Sequence, residues 1–484
     1  MINTLINDFH DLEWFKIFKQ KNLKISPVII IDNDKFKKQI KSLFPKSNFI
    51  DQRDAVRCKN FNIEKKHNKL KKLKKFEKIG INLLNRYLIF DNLSYNYKKQ
   101  IYYKTANYWL FEIEDKKIDI FLSKTTPHHF YDYIIYYCFK ALNKKTFSLN
   151  SINLPDRLYL TEDINNRKIK FNLTKSINKS NVDIASKKYN SISKLNFNKN
   201  MPWYIKKYGN IPDYKYLLYI FYNLIKSMST FLVFKHKVRA PIDYQYKSDN
   251  FFESNIYTKL YQFYLLQARF CIKKLIIKKK YKRLCHTNIF STKYVYFAAQ
   301  FKPEASADPE SGKFLSHIQI LKELRKNLPS EYAIVYKEHP NQFHHNSMWD
   351  IQKDNKYYKE LQKIKKLIFV SDTYDSFDLI DNCQFVVTLS GNVGFESVAR
   401  NRHCMIFSKT WYSDFSGVYL IKTFNEIKKF IKIKKKKINH KLNIKIYSKI
   451  INNTVIIKSF SKIQNNILKD KKYFKKLLVK SIFN

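Results

Sequence analysis

Between residues 294 and 407 the chain alternates short apolar runs with amphipathic stretches, and no other feature restricts its fold as strongly. The runs 294–298, 333–336, 367–370, 385–389 and 404–407 have the length and β-branched or aromatic content of buried strands. The stretch 314–328 places Phe314, Leu315, Ile318, Leu321, Leu324 and Leu328 at helical spacing, and shorter helices are predicted around 356–364 and 376–380. Strands separated by helices cannot form hairpins with one another. They imply a parallel sheet with right-handed crossovers.

The chain has only six glycines in 484 residues, and two of them, Gly391 and Gly394, interrupt this region together. They fall in Thr388-Leu389-Ser390-Gly391-Asn392-Val393-Gly394-Phe395-Glu396-Ser397, between a strand and a helix predicted from 393 to 399. Where glycine is so scarce, each one marks backbone that a Cβ would obstruct. A strand, a small-residue turn and a helix start suit an anion, because free N–H groups and the helix dipole face it. The turn is therefore predicted to hold the phosphate of a nucleotide.

A chain of this length predicts several domains. We assign residues 1–200 to an N-terminal α/β domain, 201–290 to a helical connector, 291–425 to a Rossmann-like nucleotide-binding domain and 426–484 to a basic, mostly helical tail. The formal charge of +52 invites nucleic acid or an anionic membrane as partner. However, lysine, asparagine, isoleucine, tyrosine and phenylalanine are all abundant while glycine, proline and alanine are scarce, as an AT-rich coding sequence produces, and no nucleic-acid recognition module is legible. Nucleic acid is not the expected partner. The six cysteines form no C-x-x-C pair, which argues against a zinc site or a disulfide framework and for a reducing, cytoplasmic setting. The N-terminus lacks the pattern of a signal peptide. The stretch 216–234 is the best membrane candidate, but Asn223, Lys226 and Ser227 interrupt it, and a packing helix is expected instead. The lysine run 428–437 is a solvated helix or a contact for acidic phospholipid.

In the N-terminal third, runs 28–31, 87–90, 118–122 and 146–149 read as strands, with helices over 35–43 and 132–142. Asp32-Asn33-Asp34 has a D-x-D form that could hold a divalent cation, but a lone D-x-D is a weak signal and an Asx turn or helix N-cap is the favoured reading. Residues 163–200 are polar and read as a loop or insertion. Thr125-Thr126-Pro127-His128-His129-Phe130-Tyr131-Asp132 follows a strand and precedes a helix, at the strand end where α/β sheets place ligands. Its histidines and aspartate supply either a general base or the polar first turn of a helix.

Three loops of the second domain sit at strand carboxyl ends: Gln300-Phe301-Lys302-Pro303-Glu304, Lys337-Glu338-His339-Pro340 and the glycine-bearing turn. In this order, followed by Trp411-Tyr412, they resemble the motifs of bacterial capsule and surface-polysaccharide biosynthesis proteins, GT-B glycosyltransferases related to the Kdo transferases of capsule assembly. The likeness covers about 130 residues and extends faintly to Pro127-His128 and Asp132. It implies an α/β, GT-B-like fold, with two Rossmann-like domains facing a cleft.

The same likeness implies a donor nucleotide on the second domain. Lys337, His339 and Pro340, with Ser390, Gly391, Asn392 and Gly394, would meet its phosphate; Glu396 would reach its ribose, and Gln300 and Glu304 the substrate. The expected reaction moves a sugar from a nucleotide donor, for instance a CMP-sugar, to a glycan or lipid-linked acceptor. Asp132 and His128 are the candidates to take the acceptor's proton. No metal and no cofactor beyond the nucleotide-sugar substrate is expected; the expected setting is the cytoplasm, with the inner face of the cytoplasmic membrane as an option within it. A glycerophosphotransferase using CDP-glycerol and a non-catalytic basic nucleic-acid-binding protein are the alternatives. Arg400-Asn401-Arg402-His403 departs from the Gly-Lys-Pro turn expected there.

Overall fold

The structure is a computed structural model that describes residues 2–7, 9, 12–19, 25–31, 34–51, 55, 58, 65–84, 94–154, 157–169, 177–194, 213–234, 237–239, 257–287, 289, 292–302, 305, 307, 309–312, 314, 316–343, 353–433 and 436–456. The chain divides into two units. One is built on Met1–Ile169 and includes the segment from Asn453; the other comprises Lys170–Ala240 and Tyr257–Asn452.

The first unit holds strands β1 (Ile2–Asn7), β2 (Ile25–Ile31), β3 (Asn48–Asp51), β4 (Ile120–Ser123), β5 (Lys145–Ser151) and β6 (Arg157–Thr161). Helices α1 (Leu12–Phe18), α2 (Asp34–Leu43), α3 (Glu77–Leu84), α4 (Tyr95–Asp115) and α5 (Phe130–Ala141) alternate with them. The sheet order is β15-β6-β5-β4-β1-β2-β3, where β15 is Val455–Ile456. Strands β1 to β5 are parallel, and β6 and β15 add antiparallel edges. Burial of Trp14, Phe15, Phe18, Ile29 and Leu122 places a core on the face that α1 covers. The sheet is organised around β1, which the apolar-run reading did not find. Its sequence Ile-Asn-Thr-Leu-Ile-Asn is half polar, and Asn3, near the start of the strand, donates to the carbonyls of Lys116 and Lys117 in the connection that leads into β4. The run 87–90 and the Asp32-Asn33 part of the D-x-D lie outside the described residues; Asp34 opens α2.

The second unit contains α6 (Lys179–Ile192), α7 (Asp213–Phe234), the small antiparallel pair β7 (Lys237–Arg239) and β8 (Tyr257–Lys259), and α8 (Leu260–Leu284). Beyond these come β9 (Tyr294–Ala298), β10 (Ala333–Lys337), β11 (Leu367–Val370), β12 (Val386–Thr388), β13 (Cys404–Ile406) and β14 (Val418–Leu420). The intervening helices are α9 (His317–Asn327), α10 (Asn355–Gln362), α11 (Ser376–Asn382) and α12 (Val393–Ala399), with α13 (Asn425–Lys432) and α14 (His440–Asn452) at the end. Local chemistry starts these helices where the sequence does. Ser316 accepts from the Gln319 N–H, Asp354 from the Tyr357 N–H and Asp375 from the Phe377 N–H, capping α9, α10 and α11.

All six strands of the second sheet are parallel, in the order β11-β10-β9-β12-β13-β14. Taken as strands one to six, this is the doubly wound order 3-2-1-4-5-6, whose direction reverses between β9 and β12. Val295, Phe297, Ile334, Tyr336, Val387 and Met405 carry the buried core between the helical layers. One stretch read as a loop is structured here. Within 163–200, α6 packs on α12 and α14, with the Tyr189 hydroxyl donating to the Val398 carbonyl and accepting from Asn443. Its anchors, Ala185, Tyr189 and Ile192, are too few to stand out in a polar background. Two Rossmann-like α/β units in one chain bear out the GT-B-like fold class.

Candidate functional site

Parallel sheets bind ligands outside the carboxyl ends of their strands, at the point where the strand order reverses. In the second unit that point lies between the ends of β9 and β12, and it is where Gln300 and the Ser390-Gly391 turn stand. Gln300 is buried. Its Oε1 accepts from the Leu389 N–H at 3.2 Å and its carbonyl accepts from Lys353 Nζ at 2.9 Å. That fixes the carboxamide with Nε2 toward the turn, 3.5 Å from where a Cβ on Gly391 would lie; Nε2 has no hydrogen-bond partner. A buried donor held in place by its own acceptor suits a ligand oxygen.

The glycine turn is close-packed. A Cβ at Gly391 would come within 3.0 Å of Thr388 Oγ1, and one at Gly394 within 2.7 Å of the Tyr412 hydroxyl. The Gly391 N–H reaches Thr388 Oγ1 at 3.3 Å and the Gly394 N–H reaches the Gly391 carbonyl at 3.1 Å. The Tyr412 hydroxyl donates to that same carbonyl, and Trp411 Nε1 donates to Asn392 Oδ1 at 3.4 Å. The helix that follows has only seven residues and its N-cap Asn392 makes no capping bond. Its dipole is correspondingly small, so most of the positive character at this rim must come from side chains.

Those side chains stand at the end of β10, where alternation sorts the motif. Lys337 and His339 belong to the rim, whereas Glu338 turns inward and pairs with Lys353 at 2.7 Å, both fully buried. Glu338 also accepts from the Tyr336 hydroxyl, and its N–H donates to the Tyr281 hydroxyl at 3.1 Å. Lys337 is buried, donates to Ser376 Oγ at 2.6 Å and has its pKa lowered by desolvation to about 8, against the pull of Asp372, Asp375 and Glu396. His339 is half-buried, and desolvation, followed by the charges of Lys353 and Lys337, pushes its pKa down to about 3. Its Nδ1 accepts from the Asn341 N–H at 3.2 Å, so the ring proton sits on Nε2. His339 is a neutral N–H donor at physiological pH. Pro340 opens a 3-10 turn that carries Asn341 into that bond.

Glu396 is half-buried on α12, where desolvation raises its pKa to about 7, opposed by Lys188, Lys337 and Arg400. Asp372, beyond β11, is buried with its pKa raised in the same way. Glu304 lies outside the described residues. Sequence reasoning overlooked Lys353, Asp372, Ser376 and Lys188. None of them belongs to a motif, and only the fold brings them to this rim or beneath it.

The first unit has its own reversal, between β1 and β4, and the His128 segment follows β4. Thr126 Oγ1 donates to Asn150 Oδ1 at 3.1 Å and its carbonyl takes His128 Nδ1 at 2.7 Å. A carbonyl can only accept, so His128 carries its proton on Nδ1 and offers Nε2 as its basic nitrogen. Asp132 is buried in the first turn of α5, and the ligand atoms of His128, His129 and Asp132 lie within 4.8 Å of one another. Two imidazoles and a carboxylate could also ligate a transition metal. Asn7 Nδ2 and Ser123 Oγ, at the ends of β1 and β4, are buried without hydrogen-bond partners among the described residues.

Residues 236–460 match the family model for capsule polysaccharide biosynthesis proteins. The match contains all three rim loops of the second unit and Trp411-Tyr412. No curated protein matches the chain by sequence. Among solved structures, the chain is similar to Thermosulfurimonas dismutans KpsC, beta Kdo 2,7 transferase (13% identity over 83% of this chain and 95% of that one, TM-score 0.31). A second KpsC structure from that organism, the beta Kdo 2,4 transferase, has 9% identity over 74% and 86%, with a TM-score of 0.34. The UDP-GlcNAc 2-epimerase of Methanocaldococcus jannaschii has 10% identity over 92% and 98%, with a TM-score of 0.25.

Proposed function

We propose that this chain is a glycosyltransferase of capsule polysaccharide biosynthesis that moves a sugar from a nucleotide-sugar donor to a glycan or lipid-linked acceptor. The observation that carries the reading is the donor set at the carboxyl ends of the neighbouring strands β9 and β10: Gln300 Nε2, Lys337 Nζ and the His339 Nε2–H, on the same rim as a turn that two glycines keep clear of side chains. These groups suit the phosphate of a nucleotide. Glu396 suits the ribose hydroxyls whether or not it is protonated.

In the reaction, the bond from the anomeric carbon to the phosphate oxygen breaks and one to the acceptor hydroxyl oxygen forms. The negative charge left on the nucleotide phosphate meets Lys337 and the two N–H donors, which are positioned before the bond breaks. The acceptor's proton goes to His128 Nε2 or to Asp132, with Asp132 orienting the ring or stabilising its charged form.

Thermal melting of the full chain with CMP, CDP, UDP and GDP tests the nucleotide site. A ligand at 100 times its Kd adds about 2.7 kcal/mol, or roughly 5–10 °C for a unit of this size. His339→Ala should abolish the shift. No shift with any nucleotide, together with an inert His339→Ala, would sink the reading. A response to CDP-glycerol but to no nucleotide-sugar would replace it with glycerophosphate transfer.

A further inference from the structure

Helix α7 is apolar on more than one face. One face, through Leu217 and Ile220, packs on Ala268, Cys271 and Leu275 of α8. Away from that contact, Tyr214, Leu218, Phe221, Tyr222, Ile225 and Met228 recur at spacings of three and four and are all exposed, Leu218 at 63%, Tyr222 at 64% and Ile225 at 68%. Helix α8 adds exposed Leu265, Ile272 and Ile276. An apolar stripe of this length on a helix that already has its packing partner is not a solvated surface.

Charge decides between the candidate occupants. Helix α8 carries eight lysines and arginines and no acidic residue, and its exposed Arg269, Lys273, Lys279 and Lys280 lie among the exposed isoleucines. Helix α7 adds exposed Lys215 and Lys226. A second copy of the chain docking here would bring like charge against like charge. An anionic bilayer meets the apolar stripe and the basic residues together, the pattern of a helix lying in the membrane interface, where tyrosine is also favoured. No helix among the described residues is long and apolar enough to cross a membrane. We propose that the α7–α8 hairpin seats the protein on an anionic phospholipid surface, with the Leu218–Ile225 stripe entering the headgroup boundary. Among the described residues of the lysine run 428–437, no comparable apolar stripe is exposed, since Ile427 and Phe430 of α13 are buried.

The test is sedimentation of the full chain with phosphatidylcholine vesicles, with and without phosphatidylglycerol. Wild type should bind the anionic vesicles preferentially. Leu218→Ser with Ile225→Ser should weaken that binding by roughly 30-fold or more, with unchanged melting and nucleotide response because both side chains are exposed. Lys428→Gln with Lys429→Gln should leave it unchanged. The proposal is overturned if the Leu218/Ile225 variant binds like wild type, if neutral vesicles bind as well as anionic ones, or if the lysine variant is the one that loses binding. It is equally overturned if the Leu218/Ile225 variant dissolves a lipid-free dimer while wild type ignores vesicles.

Discussion

Lys353→Met perturbs the second unit at the point where stability and the site meet. Lys353 is 1% exposed, contacts a Glu338 carboxylate that is 0% exposed, and donates to the Gln300 carbonyl. Removing the lysine leaves a carboxylate buried with only the Tyr336 hydroxyl and the surrounding dipoles. Breaking one half of a buried pair costs about 3–5 kcal/mol, most of it the price of the stranded charge. For a unit of this size that lowers Tm by about 6–20 °C. Glu338→Gln made in addition removes that charge while keeping an acceptor for Tyr336, so the double variant should recover more than half of the loss. The Gln300 carbonyl remains without its lysine in both variants. Nucleotide affinity should therefore stay several-fold below wild type even in the double variant, since one hydrogen bond is worth about 1 kcal/mol. Thermal melts and nucleotide titrations of all three proteins measure both effects. A double variant no more stable than Lys353→Met would refute the reasoning, because the loss would then not come from a stranded charge.

The remaining expectations concern the rims. Nucleotide affinity should fall as pH rises through about 8, where Lys337 loses its proton, and Lys337→Met should remove that limb. Lys337 has a folded pKa below its unfolded value, so its penalty on folding lifts between about 8 and the usual lysine range, and melting over that window should not fall on its account. Glu396 has a folded pKa raised to about 7, so its cost to folding grows from the ordinary carboxylate range up to that pH. Glu396→Gln should accordingly stabilise the protein above pH 7, by about 1–3 kcal/mol, while weakening ligand binding, as paired melts and titrations would show. Asp132→Asn should cut turnover by about 100-fold or more and leave the nucleotide-induced melting shift intact, since Asp132 belongs to the other unit. Dialysis against a chelator, followed by turnover and metal analysis, decides whether His128, His129 and Asp132 hold a metal; the general-base role predicts retained turnover.

What could be read in advance follows from how local the information is. Strands β9 and β11 and helix α12 appear with the bounds expected from apolar runs and the glycine turn, because a doubly covered parallel strand has to be a continuous apolar word. Strand β1 is central to its sheet but spells Asn3, Thr4 and Asn7 among its apolar residues, with Asn3 bonding the connection that leads into β4 and Asn7 accepting from the Tyr131 hydroxyl. Its polarity serves hydrogen bonds to distant elements that only the folded sheet supplies. The rim divides in the same way. His339 and Lys337 could be named from their place at a strand end, but the direction of Glu338, the neutral state of His339 and the role of Lys353 depend on contacts across tens of residues.

The absent glycine turn after α12 shows how a chain with six glycines ends its helices. Arg400 caps the helix, Asn401 takes φ of 61°, the Arg402 N–H returns to the Ser397 carbonyl at 2.8 Å and the Asn401 N–H to the Val398 carbonyl at 3.3 Å. That is a Schellman motif with asparagine in the left-handed position that glycine usually takes. Helix α5 ends likewise at Asn143, with Lys144 N–H to the Phe139 carbonyl, and α4 ends at Lys117, with Ile118 N–H to the Ile113 carbonyl. A left-handed helix end is thus reached here without glycine. Asparagine tolerates this conformation and lysine does so less well. Lys117→Gly should therefore stabilise the first unit by about 0.5–1 kcal/mol, the relief of left-handed strain less the added freedom of the unfolded chain. Asn401→Gly should gain only a few tenths of a kcal/mol. Denaturant melts of the two variants test the assignment: a loss of stability in Lys117→Gly, or a larger gain at Asn401 than at Lys117, would contradict it.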